Sequence, residues 1–349
     1  MEVRNSDHAA AVPQSSHVPY TPRTPRIRRQ QFSLGLRQSI PAREDVEAEI
    51  NDGIEMLELL DQSWVVYGVS LLFGLQYDNK LMLKLYGKKL REEVASTLSH
   101  DNVSYDAKFS VMEGIKVRPG PPAIKIVVNS TSADDKKVEK CIYKGIFVSW
   151  PNEPEESNNK NFVKLPILLC KGSQSIIKAI NVIISRMFDC MIIPLPASEV
   201  DLLWLIPILL SLDLEWQSDT QELLMEYKIP GYPDSDSITV RHRLCDVLKL
   251  WTGICQENKH LENRENIMVE DMERFHDILQ KHMLRISGLQ LGLCNLNKIQ
   301  LPYLMMMNNK MKVKHTDVMD QVLRYLHEEA VTMLHFIQMD SLSTDNSDS

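Results

Sequence analysis

Glycine is scarce in this chain, 13 among 349 residues, and none of it falls in the patterns that cradle a phosphate. There is no G-x-G-x-x-G, no G-x-x-x-x-G-K-[ST], no G-x-S-x-G and no H-E-x-x-H. These gaps exclude the dinucleotide-binding, P-loop, nucleophile-elbow and zincin signatures, and the reading that follows is a protein that is not an enzyme, has no cofactor and takes no small-molecule substrate. Long apolar runs are missing too. The most apolar stretch, Leu202 to Leu212, falls far short of the roughly 18–20 residues a membrane-spanning helix needs, and Glu199 and Asp201 flank it, so no membrane segment is expected. Met1 to Gln30 has no apolar core, which predicts no secretory leader. The six cysteines form no C-x-x-C pair and lie among apolar neighbours, as buried thiols of a reducing compartment do. Histidine pairs at metal spacing are absent: His327-Glu328-Glu329 has its next histidine at 335, and His276 and His282 lie six apart, off the helical i,i+4 spacing. All are expected on solvated surfaces.

What is present begins with hydrophobic content of 44%, enough for a sizeable core. Charge is unevenly placed. Residues 1–43 carry seven arginines against Glu2 and Asp7, a local +5, which leaves −13 of the net −8 for the rest. This Ser-, Pro- and Arg-rich segment has few apolar side chains to offset the entropy of ordering and is expected to be a disordered basic tail. Within it, Thr21-Pro22-Arg23-Thr24-Pro25-Arg26-Ile27-Arg28-Arg29 holds two Thr-Pro sites suited to a proline-directed kinase, making Thr21 and Thr24 candidate phosphorylation sites. Arg26, Arg28 and Arg29 suit a nuclear-import signal or a phosphate-backbone contact, and an incidentally basic tail fits equally. The body spans 44–338, followed by an acidic tail over 339–349, also expected to be disordered.

Along the body, Val46, Ile50, Ile54, Leu57 and Leu60 recur at helical spacing. Trp64 to Tyr77 is aromatic, β-branched and interrupted by Gly68 and Gly74, as a strand or kinked pair would be. Asn79 is placed to cap a helix bearing Leu81, Leu85, Leu90, Val94 and Leu98. Strands over Tyr105–Val117, Ala123–Asn129 and Lys140–Trp150 are separated by turn residues, as in an antiparallel meander. A buried strand at Leu165–Lys171, a helix to Phe188, a strand at Met191–Leu195 and an all-apolar helix over Ala197–Leu212 follow. Strands near Glu222–Tyr227 and Ile238–Arg241 precede helices at Leu244–Cys255 and Val269–Met283. Strands at Leu284–Leu291, Gln300–Met307 and Met311–His315 and a helix from Asp317 to Ile337 close the chain.

In Lys310-Met311-Lys312-Val313-Lys314, period-2 alternation puts three ammoniums on one strand face and two apolar groups on the other. Like charges stacked on a strand repel, so a polyanion would relieve them; a solvated face or an aggregation-blocking edge fits the same residues. Lys136, Lys137, Lys140 and Lys144 suggest a second such edge. Tyr303-Leu304-Met305-Met306-Met307 suits either core packing or an adaptable partner surface.

Four segments together resemble the centromere protein L family. They are the Pro-punctuated tail from Thr24-Pro25 through Pro41 into Glu44-Asp45-Val46; Leu59-Leu60-Asp61-Gln62-Ser63-Trp64-Val65-Val66-Tyr67; Met187-Phe188-Asp189-Cys190 with Pro194-Leu195 and Leu202-Leu203-Trp204; and His315-Thr316-Asp317. The resemblance implies an α+β fold, a curved and mostly antiparallel mixed sheet with helices packed against it. It implies a nuclear, non-enzymatic scaffold of the inner kinetochore that forms a heterodimer with centromere protein N, contacts centromere protein C and the H-I-K-M subcomplex, and helps hold centromeric DNA. Carried over by position, 300–315 is the partner edge, with Leu301, Tyr303, Met305, Met307, Met311 and Val313 as partner contacts and Lys310, Lys312 and Lys314 facing DNA. The rival expectation is a DNA-binding or nucleic-acid-processing protein outside the kinetochore with a divergent site, which would need acidic side chains converging on a divalent ion.

Overall fold

Two kinds of strand can be told apart by their side chains, and the computed structural model of the chain sorts them onto two halves of one sheet. It describes residues 32–33 and 55–344, apart from 99–102, 116, 118–119, 133–138, 153–160, 215, 217–219, 234–235 and 260–265. The strands are β1 (Phe32–Ser33), β2 (Ser63–Val69), β3 (Leu72–Phe73), β4 (Val103–Met112), β5 (Ala123–Ser132), β6 (Glu139–Val148), β7 (Phe162–Val163), β8 (Ile167–Gly172), β9 (Ile192–Pro194), β10 (Glu222–Lys228), β11 (Ser237–Arg243), β12 (Asn266–Ile267), β13 (Asn295–Gln300), β14 (Leu304–Met307) and β15 (Lys310–Val313). The helices are α1 (Lys80–Leu98), α2 (Gln174–Met187), α3 (Glu199–Leu210), α4 (Leu244–Lys259), α5 (Val269–Ser287) and α6 (Thr316–Thr344).

Eleven strands form the main sheet in the order β11-β10-β13-β14-β15-β2-β8-β6-β5-β4, with β9 pairing a stretch of β2. The fold is therefore α+β, as the sequence implies, and every pairing in this sheet is antiparallel rather than mixed. β2 and β8 are apolar on both faces because both faces are covered. Trp64, Val66, Ile167 and Leu169 belong to one core with α3, α4, α5 and α6. Tyr67, Val69, Leu168 and Cys170 belong to a second core with α1 and α2 on the opposite side. The β10–β15 half has helices on one side only, and its strands alternate accordingly.

The ends of the elements follow from local chemistry. Asn79 accepts from the Leu81 and Met82 amides through Oδ1 at 3.0 and 3.3 Å, starting α1 as expected. The face that α1 buries differs from expectation: Leu83, Tyr86, Gly87, Leu90 and Val94 are inside, whereas Leu81 and Leu85 stand in solvent. Ser198 and Asp201 close a reciprocal capping box on α3, whose apolar residues are buried nearly all round. The predicted strand at Leu284–Leu291 is not there. α5 continues to Ser287 and stops at Gly288, whose φ of +70° lets its amide reach the Leu284 carbonyl at 2.9 Å. The strand lies further on, at β13, and the apolar residues that suggested the earlier one, Leu284 and Ile286, are exposed helix residues. The predicted strand over Gln300–Met307 is broken at Leu301–Tyr303, where the Leu301 amide reaches the Leu304 carbonyl at 2.7 Å.

The terminal helix is tied to the meander by polar contacts. The Trp150 amide donates to His327 Nδ1 at 3.0 Å, its indole Nε1 donates to Asp320 Oδ1 at 2.8 Å, and Arg324 grips both oxygens of Asp320. His327 is thus a buried structural residue rather than part of a solvated face. The predicted first helix lies mostly outside the described residues, as do the polar loop after Pro151-Asn152 and both ends of the chain beyond 32–33 and 344. Phe32–Ser33, from the tail segment, pair with Asn266–Ile267, and α6 reaches Thr344, past residue 338.

Candidate polyanion and partner surface

The registers of the β10–β15 half can be read straight across the sheet. One row runs Val240, Met225, Ile299, Met306, Met311, Trp64. Every member is at most 3% exposed, and the row floors the core beneath α3 to α6. The neighbouring row runs Arg241, Leu224, Gln300, Met305, Lys312, Ser63, and the next runs Thr239, Glu226, Lys298, Met307, Lys310, Val65. All of these are exposed or half-buried; from β11 to β15 their side has no helix layer, while Val65 of β2 packs against the core of α1 and α2. The alternation read from 310–314 is therefore real: Lys310, Lys312 and Lys314 share one face while Met311 and Val313 are wholly buried on the other.

Three acids answer some of the cations on this face. Arg241 pairs with Glu222 at 3.6 Å, Lys298 with Glu226 at 3.3 Å and Lys312 with Asp61 at 3.6 Å. Lys310 and Lys314 make no ion pair among the described residues. Exposed pairs of this kind contribute only about 0–1 kcal/mol each and dissolve readily in favour of a stronger anion. Lys312 and Lys314 line a groove of about 440 Å³ with Glu222, Gln300 and Met305. Lys310 lines a second cavity, of about 640 Å³, together with Trp64, Lys144 and Lys171. There Glu58 accepts from Lys125 and, at 2.7 Å, from Lys144. Burial works to raise the Glu58 carboxyl, but the two ammoniums outweigh it and hold it below the usual range. Lys144 also lies over the Trp64 ring, 5.5 Å from its centroid.

The partner residues expected at 300–315 are divided. Leu301, Met311 and Val313 are core residues, at 3%, 0% and 0% exposure. Tyr303, Met305 and Met307 are half-buried; Met305 and Met307 lie among the lysines, and the Tyr303 ring stands between Trp216 at 5.5 Å and His315 at 5.3 Å. The expected edge is not an edge. β14 is paired on both sides, by β13 and β15, and β15 by β14 and β2, so their backbone groups are spent inside the sheet. β6 is paired with β5 at both Lys140 and Lys144, but with β8 only from Tyr143 onward, so Lys144 lies inside the sheet while Lys140 is flanked by β5 alone. The sheet ends instead at β11 and β4. Thr21, Thr24, Arg26, Arg28, Arg29, Lys136 and Lys137 lie outside the described residues.

Sequence reasoning missed Arg241 and Lys298 as members of the basic face. Thr239-Val240-Arg241-His242-Arg243 does alternate, but the strand expected at Leu284–Leu291 falls on the apolar end of α5 instead of on β13, which hides Lys298. Among the described residues no group of three or more His, Cys, Asp or Glu side chains is placed to hold a metal ion, and no helix is long and apolar enough to cross a membrane.

The sequence model of one family, centromere protein L, matches residues 58–331, which takes in every strand of the main sheet. The chain belongs to the centromere protein L family. No curated protein matches it in a direct sequence comparison. Membership of the centromere protein L family gives the chain a kinetochore-related role in chromosome segregation and kinetochore proteins as its partners in general. The centromere protein L family is a structural kinetochore family.

Proposed function

We propose that the chain is a non-enzymatic subunit of the inner kinetochore, within the constitutive centromere-associated network of the nucleus. In this reading it forms a heterodimer with centromere protein N, contacts centromere protein C and the H-I-K-M subcomplex, and holds centromeric DNA. The observation that carries the DNA part is the uncovered face of β10 and β13–β15, with Lys310 and Lys312 on β15 and Lys314 just past its end on the same face. Each phosphate neutralised by such a side chain releases a counterion, so the grip is strong at low salt and weakens as salt rises. No atom changes its covalent bonds in this work.

For centromere protein N, we take β11, one of the two terminal strands of the sheet with β4, as the strand available for pairing. A partner strand added there would meet unpaired backbone groups, with Thr239, Arg241 and Arg243 on one face for side-chain recognition. Met305 and Met307 remain candidate contacts on the bare face, where methionine adapts to a partner's shape, and half-buried Tyr303 remains one beside Trp216 and His315.

The test is duplex-DNA binding by the complex with centromere protein N, followed by fluorescence anisotropy across a salt series. Lys310→Glu/Lys312→Glu/Lys314→Glu is expected to weaken binding at least tenfold and to lower the log–log salt slope by about 3, near 0.9 per contact. Unchanged affinity and slope would remove these lysines from the DNA reading. Failure of the chain to co-purify with centromere protein N would remove the heterodimer.

A further inference from the structure

α1 carries apolar residues that its fold does not use. Its inner face is complete with Leu83, Tyr86, Gly87, Leu90 and Val94, yet Leu81 and Leu85 are 75% and 54% exposed one turn apart. Lys80, Lys84 and Lys88, all exposed, run beside them at i,i+4 spacing, a stripe of about 12 Å at 1.5 Å per residue. The only acid the described ion pairs place on this stripe is Glu92, 4.0 Å from Lys88. α2 repeats the pattern, with Val182, 58% exposed, between exposed Lys178 and Arg186. The two helices are neighbours, joined by Arg186 and Glu93 at 3.5 Å and by the Tyr86 and Phe188 rings at 5.1 Å.

An apolar ridge bordered by cations is one half of a helix pair. The other half would bring an apolar seam to cover the leucines and carboxylates to meet the lysines, as flanking charges do in paired helices. DNA satisfies only the lysines, because a phosphate backbone offers Leu81 and Leu85 nothing to pack against. We propose that the outer face of α1, with the adjoining ridge of α2, docks an amphipathic helix of another kinetochore protein whose apolar seam is bordered by glutamate or aspartate. The surface lies on the half of the sheet away from Lys310, Lys312 and Lys314, so it goes beyond the DNA reading and stands or falls separately from it.

The test places a photo-crosslinking amino acid at Leu85 of the full-length chain in dividing cells and locates the crosslinked segment by mass spectrometry. The expected product is a helical segment with apolar residues at i, i+3 and i+4 and acids beside them. A synthetic peptide of that segment should then bind the purified chain, with affinity falling at least tenfold in L81S/L85S and again in K80E/K84E. Both pairs are exposed, so the thermal melt of each variant should match the wild type. Absence of a crosslink, a crosslink to DNA or to a basic or non-helical segment, or peptide binding indifferent to L81S/L85S would each overturn the proposal.

Discussion

Glu329 illustrates how a side chain can be held in an unfavourable state by its neighbours. Tyr325, one turn earlier on α6, donates its hydroxyl to Asp201 Oδ1 at 2.7 Å, while Oδ2 of Asp201 accepts from the Ser198 amide at 2.6 Å. Burial, and then the charges of Asp201 and Glu328, push the Glu329 carboxyl up to about 7 from an ordinary value of 4.5. A carboxyl raised in the folded state binds its proton more tightly there than in the unfolded chain. Its contribution is therefore favourable relative to high pH at low pH, and it declines as pH rises from about 4.5 through about 7. Glu329→Gln removes that dependence. Its stability advantage over the wild type is expected to grow from pH 5 to pH 8, on the order of 2 kcal/mol, in urea unfolding at each pH. An advantage that is the same at both ends would refute the cause given. Nothing in the sequence marks this site: His327-Glu328-Glu329 reads as a wet helix face, and only the approach of the α3 cap and of Trp150 makes it an interior one.

At the scale of elements, α1 lies along β4, one end of the sheet, closely enough that a Cβ built on Gly87 would come within 2.6 Å of the Ala107 carbonyl oxygen. That obstacle is backbone and cannot swing aside, so glycine is required by the approach and not by its φ. Gly87→Val is expected to destabilise the chain by about 1–3 kcal/mol, seen as a lower midpoint in urea with an unchanged slope. A midpoint equal to the wild type would mean the helix can stand off from β4. Elements whose patterning is decided locally were legible beforehand: the Asn79 cap, the turn-separated meander and the period-2 lysines. Others were set by distant partners. Leu81 and Leu85 share a helix face by spacing but not the face that β4 and α2 cover, and Leu284 and Ile286 look like strand residues only until Gly288 is seen to end the helix beneath them. Strand order is the least local property, which is why 300–315, taken as an edge from the resemblance, lies in the middle of the sheet once β2 pairs with β15.

For the whole molecule, the balance of charge sets how DNA can approach. A body of −13 repels a polyanion everywhere except where cations gather, and the +5 of residues 1–43 is a separate source of attraction. Removing residues 1–43 is expected to weaken duplex binding and to reduce its salt slope by about 0.9 for each arginine that contacts a phosphate, while leaving a residual affinity that the triple glutamate variant abolishes. Equal slopes with and without the tail would confine DNA recognition to the folded body.

The covering of β2 and β8 on both sides bears on how the chain comes apart. Trp64 and Val66 belong to one apolar interior and Tyr67 and Val69 to the other, so a single strand of seven residues is common property. Loosening either helical layer uncovers part of the support of the other, which couples the two into one melting event. Amide protons of Val65 to Tyr67 and of Leu168 to Cys170 should accordingly exchange with deuterium last, and only at the rate of complete unfolding, whereas those of β11 and β10 are released earlier.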